Sequence, residues 1–196
     1  MARYRGPVLK RCASLGLTPE QMGMSKSSNR RKDKRQKKLS EYGTQLREKQ
    51  KAKFFYGMQE KQFRAFFDRA AKMPGQTGEN LAKLLELRMD NIVYRLGFAA
   101  TRKEARQMVV HGHFLLNGNA HDIPSMCLKP GDVIEVRENS KGHPRIKDNL
   151  AARSLGVVRW LSIDPDAMKG TVVENPIREL LDFELEERLI VEFYSK

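Results

Sequence analysis

The spacing of apolar positions divides the chain into short helical stretches punctuated by glycine and proline, with strand-like stretches confined to its second half. Met89, Ile92, Val93 and Leu96 recur at helical spacing, and Gly97 follows where a left-handed cap would end the helix. A second helix is predicted at once. Thr101-Arg102-Lys103-Glu104 fits a capping box, in which the Thr hydroxyl and the Glu carboxylate satisfy backbone donors reciprocally. Ala105, Met108 and Val109 form its buried stripe, while Arg102 and Arg106, four apart, share the opposite face with Lys103 and Gln107 nearby. Gly112 closes this helix, His113-Phe114-Leu115-Leu116 leads on as a strand, and Asn117-Gly118 signals a tight type I′ hairpin.

Upstream, Pro7 to Leu15 reads as a short helix capped at Gly16, and Gln45 to Tyr56 as a longer one ended by Gly57. Gln59 to Lys72 carries Phe63, Phe66, Phe67 and Ala70 at i, i+3, i+4 and i+7, a stripe expected in a core, and stops ahead of Pro74. Leu81, Leu84 and Leu85 start an apolar stripe that runs into the Met89 helix, so periodicity alone predicts one long helix there. Downstream, a crossing from His121 to Cys127 and a turn at Pro130-Gly131-Asp132 lead to the strand Val133 to Val136, giving a small curved sheet. Ser140 to Asp148 reads as a polar, basic linker whose Lys141, Arg145 and Lys147 face either a ligand or water. Leu150 to Leu155 is expected as a short helix ended by Gly156, Arg159 to Ile163 and Thr171 to Glu174 as strands, and Trp160 as core. In the last segment, Leu185, Leu189 and Phe193 suit a helix, whereas Ile190-Val191 fits a strand equally well.

Charge adds a partner to this picture. A net charge of +13 points to a polyanion, although basicity alone does not separate RNA, DNA and anionic membrane. Residues 1–53 hold 16 of the 37 Lys/Arg and 4 of the 24 Asp/Glu, so the remainder is nearly neutral at 21 against 20. Arg3 and Arg5 lie on an opening arm, Lys10 on the first helix, and Lys26, Arg30, Arg31, Lys32, Lys34, Arg35, Lys37 and Lys38 in a stretch with few large apolar residues. Such a segment cannot offset its ordering entropy by burial. It is either a solvated basic tail or localisation signal, or a segment that orders on its polyanion, the reading adopted here because like charges at this density repel without counter-charges. On the next helix Arg47 and Lys51 share one face, Lys49 and Lys53 another, and Tyr42 is the best candidate for stacking on a base. From Ser162 onward nine Asp/Glu meet four Lys/Arg, a composition suited to a basic neighbouring protein.

Arg102 in the first turn of the Thr101 helix opposes its dipole, which a bound phosphate would explain. His111 and His113 flank Gly112 and either cap the helix through backbone hydrogen bonds or touch a phosphate. No Gly-rich phosphate loop, HExxH or nucleophile elbow appears, and Cys12 and Cys127 make neither a disulfide framework nor a four-ligand zinc site. No catalytic residue, metal, cofactor or small-molecule substrate is therefore expected. No leader-like or membrane-spanning apolar run is present, so a cytoplasmic protein without a membrane role is expected.

The run from Arg88 to Asn117, continued by Asp122-Ile123-Pro124-Ser125 and by Lys129 to Val136, resembles the RNA-binding module of the bacterial small-subunit ribosomal protein S-four family, a module also found in some tRNA synthetases and pseudouridine synthases. SEYGTQLREKQK (Ser40 to Lys51), Gln62-Phe63-Arg64 and the closing LIVEFYSK resemble the ribosomal family itself. Some of its members hold zinc on N-terminal cysteines, but only Cys12 stands there in this sequence, so no metal is carried over. The resemblance implies an α+β architecture: a mainly helical N-terminal domain rejoined by the C-terminus, with an inserted small α/β RNA-binding module of two helices on a curved antiparallel sheet. It also implies a helix break near Glu86 to Arg88. The expected organisation is a basic extension over 1–43, a helical domain over 44–85 completed by 178–196, the module over 86–150, and a strand-rich continuation over 151–177. The implied function is a structural constituent of the small ribosomal subunit that binds its RNA directly, contacts neighbouring ribosomal proteins, nucleates assembly and supports translational accuracy. The alternatives are a free-standing RNA-binding stress or regulatory protein and an RNA-modifying enzyme.

Overall fold

The structure is a computed structural model that describes residues 4, 6–26, 39–152, 158–177 and 184–195. These form two compact units, one within Met1–Ala82 and Leu181–Lys196, the other within Lys83–Leu180.

The first unit is helical. It holds α1 (Val8–Leu15), a 3-10 turn at Glu20–Met22, α2 (Glu41–Phe55), α3 (Glu60–Ala71), the start of α4 (Thr77–Glu86) and α8 (Glu187–Ser195). Helix α2 begins four residues before the sequence expectation, because the Ser40 hydroxyl accepts from Gly43 N and caps it. Of the expected phenylalanine stripe on α3, Phe63 and Phe67 are buried with Ala70. The last segment, which the sequence left open between helix and strand, is helical because α8 packs its Ile190 inward against α2 and its ring of Tyr194 4.5 Å from that of Phe67. A carboxylate ties these helices together. Glu60 at the start of α3 takes Lys49 Nζ at 2.9 Å and Lys53 Nζ at 2.7 Å from α2, and the Tyr194 hydroxyl donates to it from α8 at 2.8 Å.

The second unit is α+β. After α4 come α5 (Met89–Arg95), α6 (Arg102–Val110), β1 (Phe114–Leu116), β2 (Asn119–Ala120), β3 (Val133–Val136), α7 (Pro144–Ala151), β4 (Leu161–Asp164) and β5 (Lys169–Val172). The strands form one antiparallel sheet in the order β2-β1-β3-β5-β4. The helix break implied by the resemblance is present: Arg88 is extended, at φ −64 and ψ 137, and bridges Cys127 instead of continuing α4 into α5. Asn117 and Gly118 both take positive φ, 49 and 79, as a type I′ hairpin requires. The core joins Met89, Ile92, Leu96 and Phe98 to Phe114, Ile134, Val136, Trp160 and Val172. Gly170 on β5 permits this packing, since a Cβ there would lie 2.4 Å from Leu96 Cδ1.

One expectation is corrected here. Residues 140–148 are not a linker, since Pro144 starts α7 at a position where a missing amide is harmless, and Ile146 is fully buried. The expected helix over 150–155 lies partly outside the described residues, as does its cap at Gly156.

Burial alone would raise the Glu60 carboxyl, but hydrogen bonds from Lys53, Lys49 and Tyr194 outweigh it and hold the pKa at about 2, below the ordinary 4.5. A depressed carboxylate stabilises the fold above its unfolded pKa, and that contribution is lost as pH falls through the folded value. Because Glu60 is 46% exposed, screening limits its contribution to on the order of 1 kcal/mol. Glu60→Gln should therefore lower the melting temperature by roughly 2–4 °C at pH 7, with the gap to the parent shrinking from about pH 4.5 toward pH 2; calorimetry across that range checks both the size and the sign.

Candidate nucleic-acid interface

Helix α6 carries the expected polar face, but its members divide into two kinds. Lys103, Gln107 and His111 are exposed and spaced four residues apart, so they form one row along the helix. Thr101 caps the helix by accepting from Glu104 N, while the Glu104 carboxylate accepts from Ala100 N at 2.8 Å, one residue earlier than the usual reciprocal partner. Arg106 stands between surface and interior: its Nη1 lies 3.7 Å from Asp90 Oδ2. Asp90 is also held by fully buried Arg88, through Nε at 3.0 Å and Nη2 at 2.7 Å. Two guanidinium groups thus share one carboxylate. Burial pushes the Arg106 pKa down from arginine's ordinary value, the negative charge of Asp90 opposes this, and Arg88 adds to it.

Arg102 requires a correction. It is buried rather than on the exposed face, donating from Nε to Asn91 Oδ1 at 2.8 Å with its guanidinium 4.4 Å from the centre of the Tyr94 ring. Asn91 in turn donates to the Glu86 backbone carbonyl at 2.9 Å and to its carboxylate at 2.8 Å, and that carboxylate also binds Arg95. Glu86, Asn91, Arg95 and Arg102 form a buried polar chain from the end of α4 through α5 into α6. It fixes how α6 lies against α5, so Arg102 positions the exposed row instead of belonging to it. Sequence reasoning missed Glu86, Asp90 and Asn91. Their signal was available: Asp90 and Asn91 sit between Met89 and Ile92 in a helix too apolar to leave polar groups without internal partners.

His111 caps α6, and its ring centre is 6.2 Å from that of His113. The His113 Nδ1 lies 2.9 Å from the Ser140 hydroxyl, a side-chain partner in place of the backbone bond expected for a capping residue. Burial lowers its pKa from the ordinary 6.5, and His143, His111 and Arg137 push it the same way.

In the helical unit, Lys49 also departs from the expected surface position. It is buried, paired with Glu60, and its Nζ lies 4.0 Å from the centre of the Phe193 ring, so its charge is used inside the fold. Lys53 shares Glu60, and Lys51 Nζ lies 3.4 Å from Glu48. Arg47 is half-buried on the same helix, and Lys10 and Lys26 are exposed. Tyr42 is 58% exposed in the first turn of α2, with its ring centre 5.5 Å from that of Phe193, so one side of it remains open for stacking. Arg3, Arg5, Arg30, Arg31, Lys32, Lys34, Arg35, Lys37 and Lys38 lie outside the described residues. Cys12 is buried, and among the described residues no group of three or more His, Cys, Asp or Glu is arranged to hold a metal.

Comparison with known proteins adds a second line of argument. Residues 3–86 match the family model for the ribosomal protein S4/S9 N-terminal domain, and residues 87–134 match that for the S4 domain. The small ribosomal subunit protein uS4 of Lachnospira eligens is 53% identical over 197 aligned positions, covering 100% of both chains. That of Fusobacterium nucleatum is 51% identical, again over 100% of both. The uS4 protein of Clostridioides difficile is 54% identical over 160 positions, covering 82% of this chain and 77% of its own length.

The placement of α6 side chains gives a direct test. Arg102→Met keeps the apolar stem but leaves Asn91 without its donor, and should destabilise the module by roughly 1–3 kcal/mol in denaturant unfolding. The neighbouring Lys103→Met should stay within about 0.5 kcal/mol of the parent. Equal losses for the two would contradict a positioning role for Arg102.

Proposed function

The chain belongs to the uS4 family of small-subunit ribosomal proteins, and from that premise we propose how it engages its RNA. The protein is a structural constituent of the small ribosomal subunit and binds ribosomal RNA, acting on cytoplasmic ribosomes. The observation that carries this is collinear identity of 53% along the whole of a uS4 relative. A free-standing regulator would share the S4 module alone, whereas here the match extends through the helical unit.

Lys103, Arg106 and Gln107 seat backbone phosphates, Asp90 and Arg102 hold α6 in the attitude that presents them, and His111 extends the row. Arg47, Lys10, Lys26 and the open side of Tyr42 add contacts from the helical unit, and the basic run 30–38 neutralises further strands. Lys49 and Lys53 contribute by closing that unit around Glu60. Phosphate contacts of this kind set register while RNA shape supplies selectivity, because the A-form major groove is too narrow for side chains to read. The reading keeps 1–43 as a basic extension, 44–85 with 178–196 as the helical domain, and 86–150 with 151–177 as the inserted domain.

Neighbouring small-subunit proteins are the second class of partner. We assign them the exposed acids Glu184 and Glu186 ahead of α8 and Asp164 and Asp166 on the β4–β5 turn, which repel RNA and suit basic surfaces. Nucleation of assembly and support of decoding accuracy follow from the family's place in the subunit. The family is not an enzyme class, and incubation with ribosomal or transfer RNA followed by nucleoside mass analysis should give no new product.

The decisive measurement is a titration of the chain against small-subunit RNA fragments, unrelated duplex RNA and DNA across salt concentrations. Binding to the subunit fragment should be strongest, and Lys103→Ala should weaken it by about 1 kcal/mol while flattening the salt dependence by roughly one ion. Equal affinity for all three ligands would leave only a polycation and defeat the proposal.

A further inference from the structure

Three of the four histidines gather at one corner of the module. His111 ends α6, His113 precedes β1, and His143 occupies the position before Pro144 that caps α7. The ring centre of His113 is 6.2 Å from that of His111 and 5.4 Å from that of His143. A capping position ordinarily supplies a side-chain oxygen to the first helical amides. His143 makes no such bond, and its buried Nδ1 has no hydrogen-bond partner among the described residues.

The charges around the three rings are mostly of one sign. Arg137 follows β3, Arg145 and Lys147 are exposed on α7, and Lys103 lies on the same row of α6 as Gln107 and His111. Glu138, in the turn between β3 and α7, is ion-paired with Lys141 at 2.7 Å. Asp148 lies on the second turn of α7, and its backbone carbonyl accepts from Ala152 N. The first turn of α7 contains no acidic residue. A proton on His113 meets the positive charge of Arg137 and of its neighbouring rings when they are charged. Burial and this repulsion both depress His113, as described above. An anion at the corner reverses the balance, because it stabilises an added proton.

We propose that His111, His113 and His143, with Arg137, form a proton-coupled site for one phosphate of the RNA backbone. This rests on the reading that the chain binds RNA, and extends it: the phosphate recruits the charge that holds it. Burial and like-charged neighbours disfavour the His113 imidazolium in the free site, and a seated phosphate favours its protonation. By linkage, binding then tightens as pH falls, and each imidazole whose pKa rises by one unit on binding strengthens affinity by at most tenfold.

The test uses the full chain and a small-subunit RNA fragment at constant salt. Calorimetric titration at pH 6 in two buffers of different ionisation enthalpy counts the protons taken up, and affinity is followed from pH 8 to pH 6. The parent should take up a proton, on the order of one, and gain about fivefold to tenfold in affinity over this range. His113→Gln and His143→Gln should each lose at least half of the uptake while binding within about twofold of the parent at pH 8. His121→Gln, outside the cluster, should behave as the parent, which separates the site from protonation of the RNA bases. Should a cluster variant fail to fold, NMR titration of the parent's histidine Cε1 protons reads the same quantity, and at least one of the three pKa values should rise by about a unit on adding RNA. Binding without histidine-dependent uptake, or equal loss in all three variants, overturns this inference and leaves the proposed function standing. No RNA binding by the parent at any pH would overturn that function, and the inference with it.

Discussion

An ionised group taken out of water needs a partner in place, because leaving one buried and unpaired costs several kcal/mol. In the inserted unit this requirement falls on two carboxylates, Glu86 and Asp90, and three guanidinium groups, those of Arg88, Arg95 and Arg102, all nearly or fully inaccessible. Arg88 satisfies Asp90 with a two-pronged hydrogen bond, and Glu86 is met by Arg95 and Asn91. These pairs span the junction of α4, α5 and α6, so the helices meet in the few orientations that keep every charge accompanied. An apolar interface slides more readily, since hydrophobic contact has little directional preference. The attitude of α6, and with it the exposed row of Lys103, Gln107 and His111, is therefore set by polar geometry within a greasy surround.

The basic residues accordingly do two kinds of work. Arg88, Arg95, Arg102 and Lys49 spend their charge inside the protein on carboxylates or rings, whereas the side chains of Lys10 and Lys26 are exposed. Arg106 belongs partly to each class, which makes it the link between the internal network and the outer surface. In the helical unit, Glu60 is the corresponding centre, gathering two lysines and a tyrosine from two other helices. A count of positive charge does not reveal this division, because net charge is blind to which cations are already neutralised.

Features written into adjacent residues were legible in the sequence. The Thr101 cap, the Asn117-Gly118 turn and the phenylalanine stripe of α3 each depend on a few neighbouring positions. The exposed positions of Lys103 and Gln107 followed from the same periodicity. What escaped was nonlocal. Arg102 lies one step from the apolar stripe of α6, and only Asn91 and Tyr94 on another helix decide that it turns inward. Lys49 looked like a surface lysine until α3 and α8 closed over it. Helix α7 was hidden because its apolar signal is thin, with Ile146 and Leu150 set among charged neighbours. The end of the chain could be resolved only by packing, since Ile190 and Val191 suit either periodicity and α2 selects the helical one.

The pairing of α8 with α2 has a temporal side. These helices close one compact unit, yet the whole of the other is encoded between them, so during synthesis the inserted part is complete before α8 is made. Domains tend to fold as units during synthesis. The α+β module is thus free to assemble on the ribosome making it, while α2 and α3 wait with one flank uncovered. Maturation of the helical half is a late event by construction, and Glu60 and Tyr194 are the clasp that completes it.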